Sequence, residues 1–245
     1  MSYCVGVLLE QGLVLASDSR TNAGVDNVAS FRKMSIYEIA KERVIAILCA
    51  GNLALTQSAL SLIEEWSRGD DDSLNVLKAP NLFRVARIVG SALREVHGVD
   101  AEALSKFGTE FNASFIVGGQ ITGERTRLFH VYAAGNFIEA TPETPFFQLG
   151  ETKYGKPVLD RLLNQSMTIE DTTKLVLISF DSTMRSNLSV GPPIHLFRYL
   201  GDSLRAGRVA TMTDGDAYLL GLRRRWAEGL RSVFEELPGP PLDPA

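Results

Sequence analysis

Hydrophobic and polar positions alternate with two periods along this chain, and the change of period divides its first half into two blocks. Period-two alternation is typical of strands and predicts four of them at the start, over 3–10, 13–20, 30–39 and 43–51. Apolar residues at helical spacing then predict two helices, over 52–69 and 79–98, with Gly98 as the end of the second.

The second half of the chain repeats this order of blocks. The pattern predicts strands over 110–120, 127–135, 137–141 and 146–150, helices over 152–164 and 168–186, late strands over 192–200 and 208–213, and a closing helix over 215–237. Because the strands come in blocks rather than singly between helices, antiparallel sheets with helices on their outer faces are expected. One domain is predicted over 1–237, followed by a loose Pro-rich tail over 238–245.

Composition narrows the class of protein and its partners. Hydrophobic residues make up 45% of the 245 positions, enough for a sizeable core. The formal net charge of −4 argues against nucleic acid or an anionic membrane as a partner. No secretory signal and no long apolar span is recognisable, so a soluble cytoplasmic protein is expected. In that compartment Cys4 and Cys49 are predicted to be buried free thiols.

Motifs for several common chemistries are missing. The three histidines are scattered and the two cysteines lie far apart, which gives a zinc site poor support. The sequence contains no phosphate-binding loop and no nucleophile elbow of the GxSxG type. We therefore expect neither a metal nor an organic cofactor.

Ser2 directly follows Met1 and precedes the first predicted strand. A serine hydroxyl is a weak nucleophile that needs an adjacent base. If Met1 is removed, which is normally permitted before a small residue, Ser2 gains such a base in its own α-amine, a group whose ordinary pKa is about 7.7–8.0. Many proteins begin Met-Ser, so this signal requires support from the surrounding sequence.

The first predicted hairpin supplies that support. With Glu10–Gly12 as a three-residue loop, Cys4 opposes Asp18 and Ser2 opposes Arg20. Opposed residues share a face, which would place Ser2, Asp18 and Arg20 together. A buried aspartate needs a partner, and Lys33 on the next predicted strand is a candidate. A surface position for both Asp18 and Lys33 is the alternative.

Four motifs together resemble a known family. They are Ser2 itself, "LASDSR" at 15–20, "FRKM" at 31–34 and "ILCAGN" at 47–52. In that order they are similar to the proteasome β-subunit family, peptidases of the N-terminal nucleophile hydrolase class. The opening 2–27 and "GETKYGKPVLDRLL" at 150–163 resemble most the bacterial branch called Anbu, a group beside HslV. The resemblance covers nearly the whole chain and implies an α+β fold, a four-layer αββα sandwich of two antiparallel sheets flanked by helices.

The resemblance also implies roles for individual residues. Ser2 matches the nucleophile, which is Thr in most of the family and Ser or Thr in this branch. Lys33 matches the lysine whose charge lowers the pKa of the neighbouring amine and hydroxyl, and Asp18 matches the acid that orients it. Gly51 matches the glycine whose N–H lines the oxyanion hole, and Arg20 matches a structural residue.

Two positions depart from the family pattern. Glu151 stands where the family commonly has a serine near the nucleophile. In "SNLSVG" at 186–191, Ser186 stands where an aspartate is expected and Ser189 where a serine is expected. These departures bear on efficiency and substrate preference more than on the class of reaction.

The expected activity is hydrolysis of peptide bonds in unfolded polypeptides through an acyl-enzyme at Ser2. Three alternatives remain open: an amidase of the same class acting on small amides, a noncatalytic shell subunit, and an assembly or binding protein that keeps the site without activity. The absence of an N-terminal extension weighs against the shell subunit. A homo-oligomer, ring-like or a helical turn, is expected because one domain cannot enclose a reactive site. The apolar stripes of 52–68 and 80–97 are the expected contact surfaces.

Overall fold

The computed structural model describes residues 2–22 and 28–241. Met1, most of the predicted loop over 21–27 and the last part of the predicted tail, 242–245, lie outside the described residues. The predictions that concern them therefore stay predictions.

Two five-stranded antiparallel sheets form the centre of the fold. The first has the order β10-β1-β2-β11-β12 and the second the order β5-β6-β7-β8-β9, while β3 and β4 form a separate hairpin. The strands are β1 (Tyr3–Leu9), β2 (Gly12–Ser17), β3 (Arg20–Asn22), β4 (Val28–Ser30), β5 (Met34–Ile39), β6 (Arg43–Gly51), β7 (Ala113–Ile121), β8 (Arg127–Val131), β9 (Phe137–Glu139), β10 (Phe146–Gly150), β11 (Ile194–Leu200) and β12 (Ala210–Met212).

Helices cover the outer face of each sheet. The helices are α1 (Leu53–Arg68), α2 (Leu82–Lys106), α3 (Lys156–Leu162), α4 (Ile169–Ser186) and α5 (Ala217–Glu236). Three apolar clusters result: α1 and α2 on the second sheet, α3 to α5 on the first, and one between the sheets. The predicted four-layer αββα architecture is therefore confirmed. None of the helices in the described ranges is long and apolar enough to cross a membrane.

The register predicted for the first hairpin was wrong by one residue. Leu9 pairs with Gly12 and Cys4 with Ser17, so the connection is a two-residue turn. Gly12 belongs to β2 rather than to the turn, since it pairs with Leu9 of β1 and with Leu200 of β11, which leaves no room for a side chain. A Cβ at Gly12 would lie 2.0 Å from the carbonyl oxygen of Tyr199.

Other element boundaries also differ from the pattern. The predicted strand 13–20 is interrupted after Ser17, and the predicted strand 30–39 is interrupted over 31–33. Helix α2 continues through Gly98 to Lys106, since a glycine inside a helix costs only about 1 kcal/mol and "VDAEALSK" favours helix. Cys4 and Cys49 are buried and unlinked, as predicted.

Candidate active site

Ser2 directly precedes β1, at the edge where the strands of the first sheet end, and a small cavity opens there between the two sheets. The residue is 9% exposed. The cavity measures about 350 Å³ and is lined by Ser2, Ala50, Gly51, Asn112, Ser114 and Gly150. The structure thus brings Ser2 and Gly51, the predicted nucleophile and the predicted oxyanion donor, to one cavity.

Asp18 and Lys33 form a buried ion pair beside this edge. The Lys33 Nζ lies 2.6 Å from Asp18 Oδ1, and the side chains of Lys33 and Asp18 are 3% and 0% exposed. Lys33 Nζ also donates to the carbonyl oxygen of Arg20, at 2.7 Å. The alternative of a surface position for this pair was wrong.

Asp18 lies beside Lys33 although the predicted register of the hairpin was wrong, because β2 ends at Ser17 and Asp18 is free of strand pairing. Its backbone N–H donates to the carbonyl oxygen of Tyr3, and its Oδ1 accepts from the N–H of Tyr3, both at 3.0 Å. The expectation that Asp18, Arg20 and Ser2 share one face through strand pairing was wrong. The Asp18 carboxylate instead turns back onto the backbone next to Ser2.

Lys33 lies between β4 and β5 and belongs to neither strand, so backbone hydrogen bonds from other elements hold it in place. Cys49 donates its N–H to the carbonyl oxygen of Lys33 at 3.0 Å, and Phe31 donates its N–H to that of Ser19 at 2.8 Å. These two bonds fix segment 31–33 between the end of β2 and β6. The segment therefore aims Lys33 at Asp18 although it does not continue β5.

Burial sets the electrostatics of the pair. Desolvation raises the pKa of the Asp18 carboxyl, while the charge of Lys33 and the N–H groups of Tyr3 and Gly191 act in the opposite direction. Burial likewise raises the pKa of the Cys49 thiol to about 12, so this neighbour of Lys33 is neutral at physiological pH. Asp18 and Lys33 therefore place a buried pair of opposite charges next to the peptide that joins Ser2 to Tyr3.

Gly51 ends β6 and lies just before the N-terminus of α1. Asn52 caps α1, with its side chain accepting the N–H of Ala54 at 3.0 Å. The first turn of a helix carries a partial positive charge. A substrate oxygen that becomes negatively charged beside Gly51 would therefore be stabilised both by a backbone N–H and by the N-terminus of α1.

The backbone of Gly150 packs closely against the backbone of Ser2. Its φ is 79°, a conformation that side chains disfavour, and a Cβ there would lie 1.9 Å from the carbonyl oxygen of Ser2. That oxygen also accepts the N–H of Glu151, at 2.7 Å. The close approach of Gly150 thus sets the position of Ser2 in the cavity.

Gly150→Ala is expected to destabilise the fold and disturb Ser2. Left-handed strain and the clash together predict a loss of about 2–5 kcal/mol in the free energy of unfolding. Gly123→Ala is the matched control, because Gly123 has a φ of 84° and no heavy atom within 4 Å of the added Cβ. Strain alone predicts about 1–2 kcal/mol there. Chemical denaturation at one protein concentration compares the two, and equal losses would show that the contact with Ser2 is unimportant.

Of the two departures from the family pattern, Glu151 lies at the site and Ser186 does not. Glu151 is buried, and its Oε2 accepts from Asn187 Nδ2 at 2.9 Å. Ser186 is the exposed last residue of α4. Within the described ranges neither Ser186 nor the half-buried Ser189 hydrogen-bonds to Ser2, Asp18 or Lys33 through its hydroxyl.

Sequence reasoning missed the residues through which segment 187–191 meets the site. Asn187 binds Glu151, and the N–H of Gly191 donates to Asp18 Oδ2 at 3.4 Å. The guanidinium of Arg20 donates to the carbonyl oxygen of Leu188 at 2.8 Å, which fits its predicted structural role. Asn187 takes the place of the expected aspartate if the family pattern is aligned on Gly191 instead of on Ser189. That alignment could have identified Asn187 from the sequence.

Comparisons with known proteins agree with this architecture. A family model described as "Proteasome subunit" matches residues 2–196. A proteasome subunit beta from Haloquadratum walsbyi is 25% identical over 202 residues, which is 78% of this chain and 70% of that relative.

Solved structures extend the similarity to the whole chain. An Anbu (Gly-1) mutant from Hyphomicrobium sp. strain MC1 is 46% identical, with a TM-score of 0.92, covering 99% of this chain and 100% of that one. Anbu (ancestral beta-subunit) from Yersinia bercovieri is 44% identical, with a TM-score of 0.91 and coverages of 98% and 100%. A structure described as the helical assembly of the Anbu complex from Pseudomonas aeruginosa is 46% identical, with a TM-score of 0.92 and coverages of 98% and 98%.

Proposed function

Since the chain belongs to the proteasome subunit family, and within it to the Anbu group, we propose that it is a peptidase with Ser2 as its N-terminal nucleophile. The observation that carries this proposal is the placement of Ser2 and Gly51 on one cavity, next to the buried Asp18–Lys33 pair. The substrate class is unfolded polypeptide, and the reaction is hydrolysis of its peptide bonds.

The proposed reaction uses two groups of Ser2, its hydroxyl as the nucleophile and its α-amine as the base. After removal of what precedes Ser2, its α-amine takes the hydroxyl proton as Oγ attacks the peptide carbonyl. The N–H of Gly51 stabilises the oxyanion, and the amine returns the proton to the leaving amine as the peptide bond breaks. Water, deprotonated by the same amine, then hydrolyses the ester at Ser2.

Lys33 supports this step by its charge. Two of its three N–H donors have partners in the described ranges, Asp18 and the carbonyl oxygen of Arg20. A cation beside the hydroxyl and the amine lowers the pKa of both, which keeps the amine in its neutral, proton-accepting form and makes the hydroxyl easier to ionise. Asp18 fixes the lysine and, through the N–H of Tyr3, the backbone that carries Ser2.

Mass spectrometry combined with a peptide epoxyketone tests the proposal. The hydroxyl of Ser2 adds to the ketone and its free α-amine opens the epoxide, so the adduct retains every atom of both reactants. The expected result is an intact mass equal to the chain without Met1 plus one inhibitor, with the adduct on Ser2. A processed chain that hydrolyses small amides, forms no adduct and cuts no unfolded protein would favour the small-amide alternative.

Self-association is part of the proposal, because a generic peptidase needs restricted access. The helical assembly described for the Pseudomonas aeruginosa relative supports it. The sequence predicted the contact surface on α1 and α2. In the described ranges the exposed apolar side chains are instead concentrated on α5, with Leu230, Val233 and Phe234, and at Leu237 directly after it. The first half of α5 carries Arg223, Arg224 and Arg225, and the second carries three glutamates against the single Arg231, so the two halves would complement each other in an antiparallel pair of such helices.

Replacing Val233 and Phe234 by glutamate is expected to reduce the size of the particle. These residues are 58% and 75% exposed, so the fold of a protomer does not depend on them. Size-exclusion chromatography with light scattering measures the mass of each species. Val99→Glu is the control, at an equally exposed apolar position on α2. A wild-type monomer that cleaves peptides would contradict the requirement for enclosure.

A further inference from the structure

Glu151 is a buried carboxylate whose partners are neutral. The residue is 6% exposed. Oε2 accepts from Asn187 Nδ2 at 2.9 Å, and Oε1 accepts from the N–H of Lys153 at 3.4 Å. Among residues 2–22 and 28–241 it belongs to none of the ion pairs, although burial of a carboxylate without a cation costs several kcal/mol.

The backbone of Glu151 lies directly against Ser2. Its N–H donates to the carbonyl oxygen of Ser2 at 2.7 Å, immediately beyond the pairing of Tyr3 with Gly150. Ser2 and Glu151 thus lie opposite each other, directly beyond the ends of β1 and β10. A cation on the nitrogen of Ser2 would therefore lie within reach of the carboxylate.

We propose that Glu151 is the counter-charge of the Ser2 α-amine, which it holds together with Asn187. This inference rests on the proposed function, because the amine exists only when Ser2 is the first residue. Glu151 acts as a positioning residue: it stabilises the ammonium that forms when the amine takes the hydroxyl proton. Processing would thereby complete an ion pair of which the fold already holds the acidic half.

The charges around the amine fix the sign of the effect. The ionisable groups on the segments around Ser2 are Tyr3, Cys4, Asp18, Arg20, Arg32, Lys33, Cys49, Glu151 and Lys153, and segment 187–191 has none. Burial raises the pKa of both thiols, so they stay neutral. Lys33 lowers the pKa of the amine and is itself paired with Asp18, whereas Glu151 raises it. Loss of the Glu151 charge should therefore lower the pKa of the amine.

The test measures the pKa of the Ser2 α-amine directly. The chain is released from a cleavable fusion that leaves Ser2 first, and the amine is acylated by trace acetic anhydride between about pH 5 and 10, with the extent read by peptide mass. Glu151→Gln is expected to lower this pKa by about 1 unit or more. The acid limb of kcat/KM should move to lower pH by the same amount, and Glu151→Asp should largely restore both.

Two further variants complete the test. Glu10→Gln removes a carboxylate at the other end of β1 and is expected to leave the amine unchanged. Asn187→Asp keeps the size of the side chain and sets a second carboxyl where Nδ2 now lies, 2.9 Å from Glu151 Oε2, so the two carboxyls share one proton and the pKa of the amine should not fall. An amine pKa that does not fall in Glu151→Gln overturns this inference alone. A shifted amine in a chain that forms no epoxyketone adduct overturns the proposed function and leaves the pairing with Glu151 standing.

Discussion

Replacing Ser2 by alanine is expected to reduce peptide hydrolysis to background, a loss of about 10⁴-fold or more. The reason is that the proposed mechanism draws its nucleophile from Ser2 and its base from the same residue. Steady-state hydrolysis of fluorogenic peptides and of a permanently unfolded protein measures the loss. Ser2→Thr is the matched control, because threonine supplies the same hydroxyl and the same α-amine.

Blocking the amine should have an effect of the same size as deleting the hydroxyl. An uncleaved fusion ahead of Ser2 converts the amine into an amide, which has no useful basicity. Release of the fusion in the same sample is expected to restore hydrolysis. Undiminished turnover with residues still attached ahead of Ser2 would falsify the role of the amine.

Replacing Lys33 by alanine is expected to remove most activity, by about 10²–10³-fold, and to destabilise the protein as well. The structure adds the second effect, because Asp18 is fully buried and would be left without its cation. Breaking one partner of a buried pair typically costs about 3–5 kcal/mol. Lys33→Arg should rescue activity poorly, since a planar guanidinium does not replace a compact ammonium.

A neutral double variant separates the two effects. Asp18→Asn with Lys33→Met removes both charges while keeping similar volumes, so it should recover much of the stability lost in Lys33→Ala. Activity is expected to stay low, because the cation beside Ser2 is still missing. Chemical denaturation and peptide hydrolysis are measured on the same samples. Near-normal hydrolysis by the double variant would show that the pair serves the fold and not the reaction.

The alternation of apolar and polar residues carried much of the fold. The two blocks of strands and the five helices follow from local periodicity, because each element must bury one face whatever its partners are. Ser2, Asp18 and Lys33 could be selected from the sequence for a related reason, because a hydroxyl, an acid and a cation have chemistry that is readable without coordinates. Gly51 was selected only because its motif resembles that of the proteasome β-subunit family.

The details that aim these residues came from contacts between distant parts of the chain. The first hairpin has a two-residue turn, and Gly12 at its end pairs with Leu200 of β11, so no side chain fits beside the carbonyl of Tyr199. Asp18 meets Lys33 because β2 ends and Cys49 holds segment 31–33, not because one strand face carries both.

The surroundings of Ser2 show the same division most clearly. By itself the sequence determined the layers and the residue types of the site. Only the tertiary structure decided that Asn187 rather than Ser186 reaches Glu151, and that this buried carboxylate lies against Ser2. The physical reason is that periodicity reports which face of an element is buried, whereas register, segment ends and side-chain partners depend on atoms supplied by elements far away in the chain.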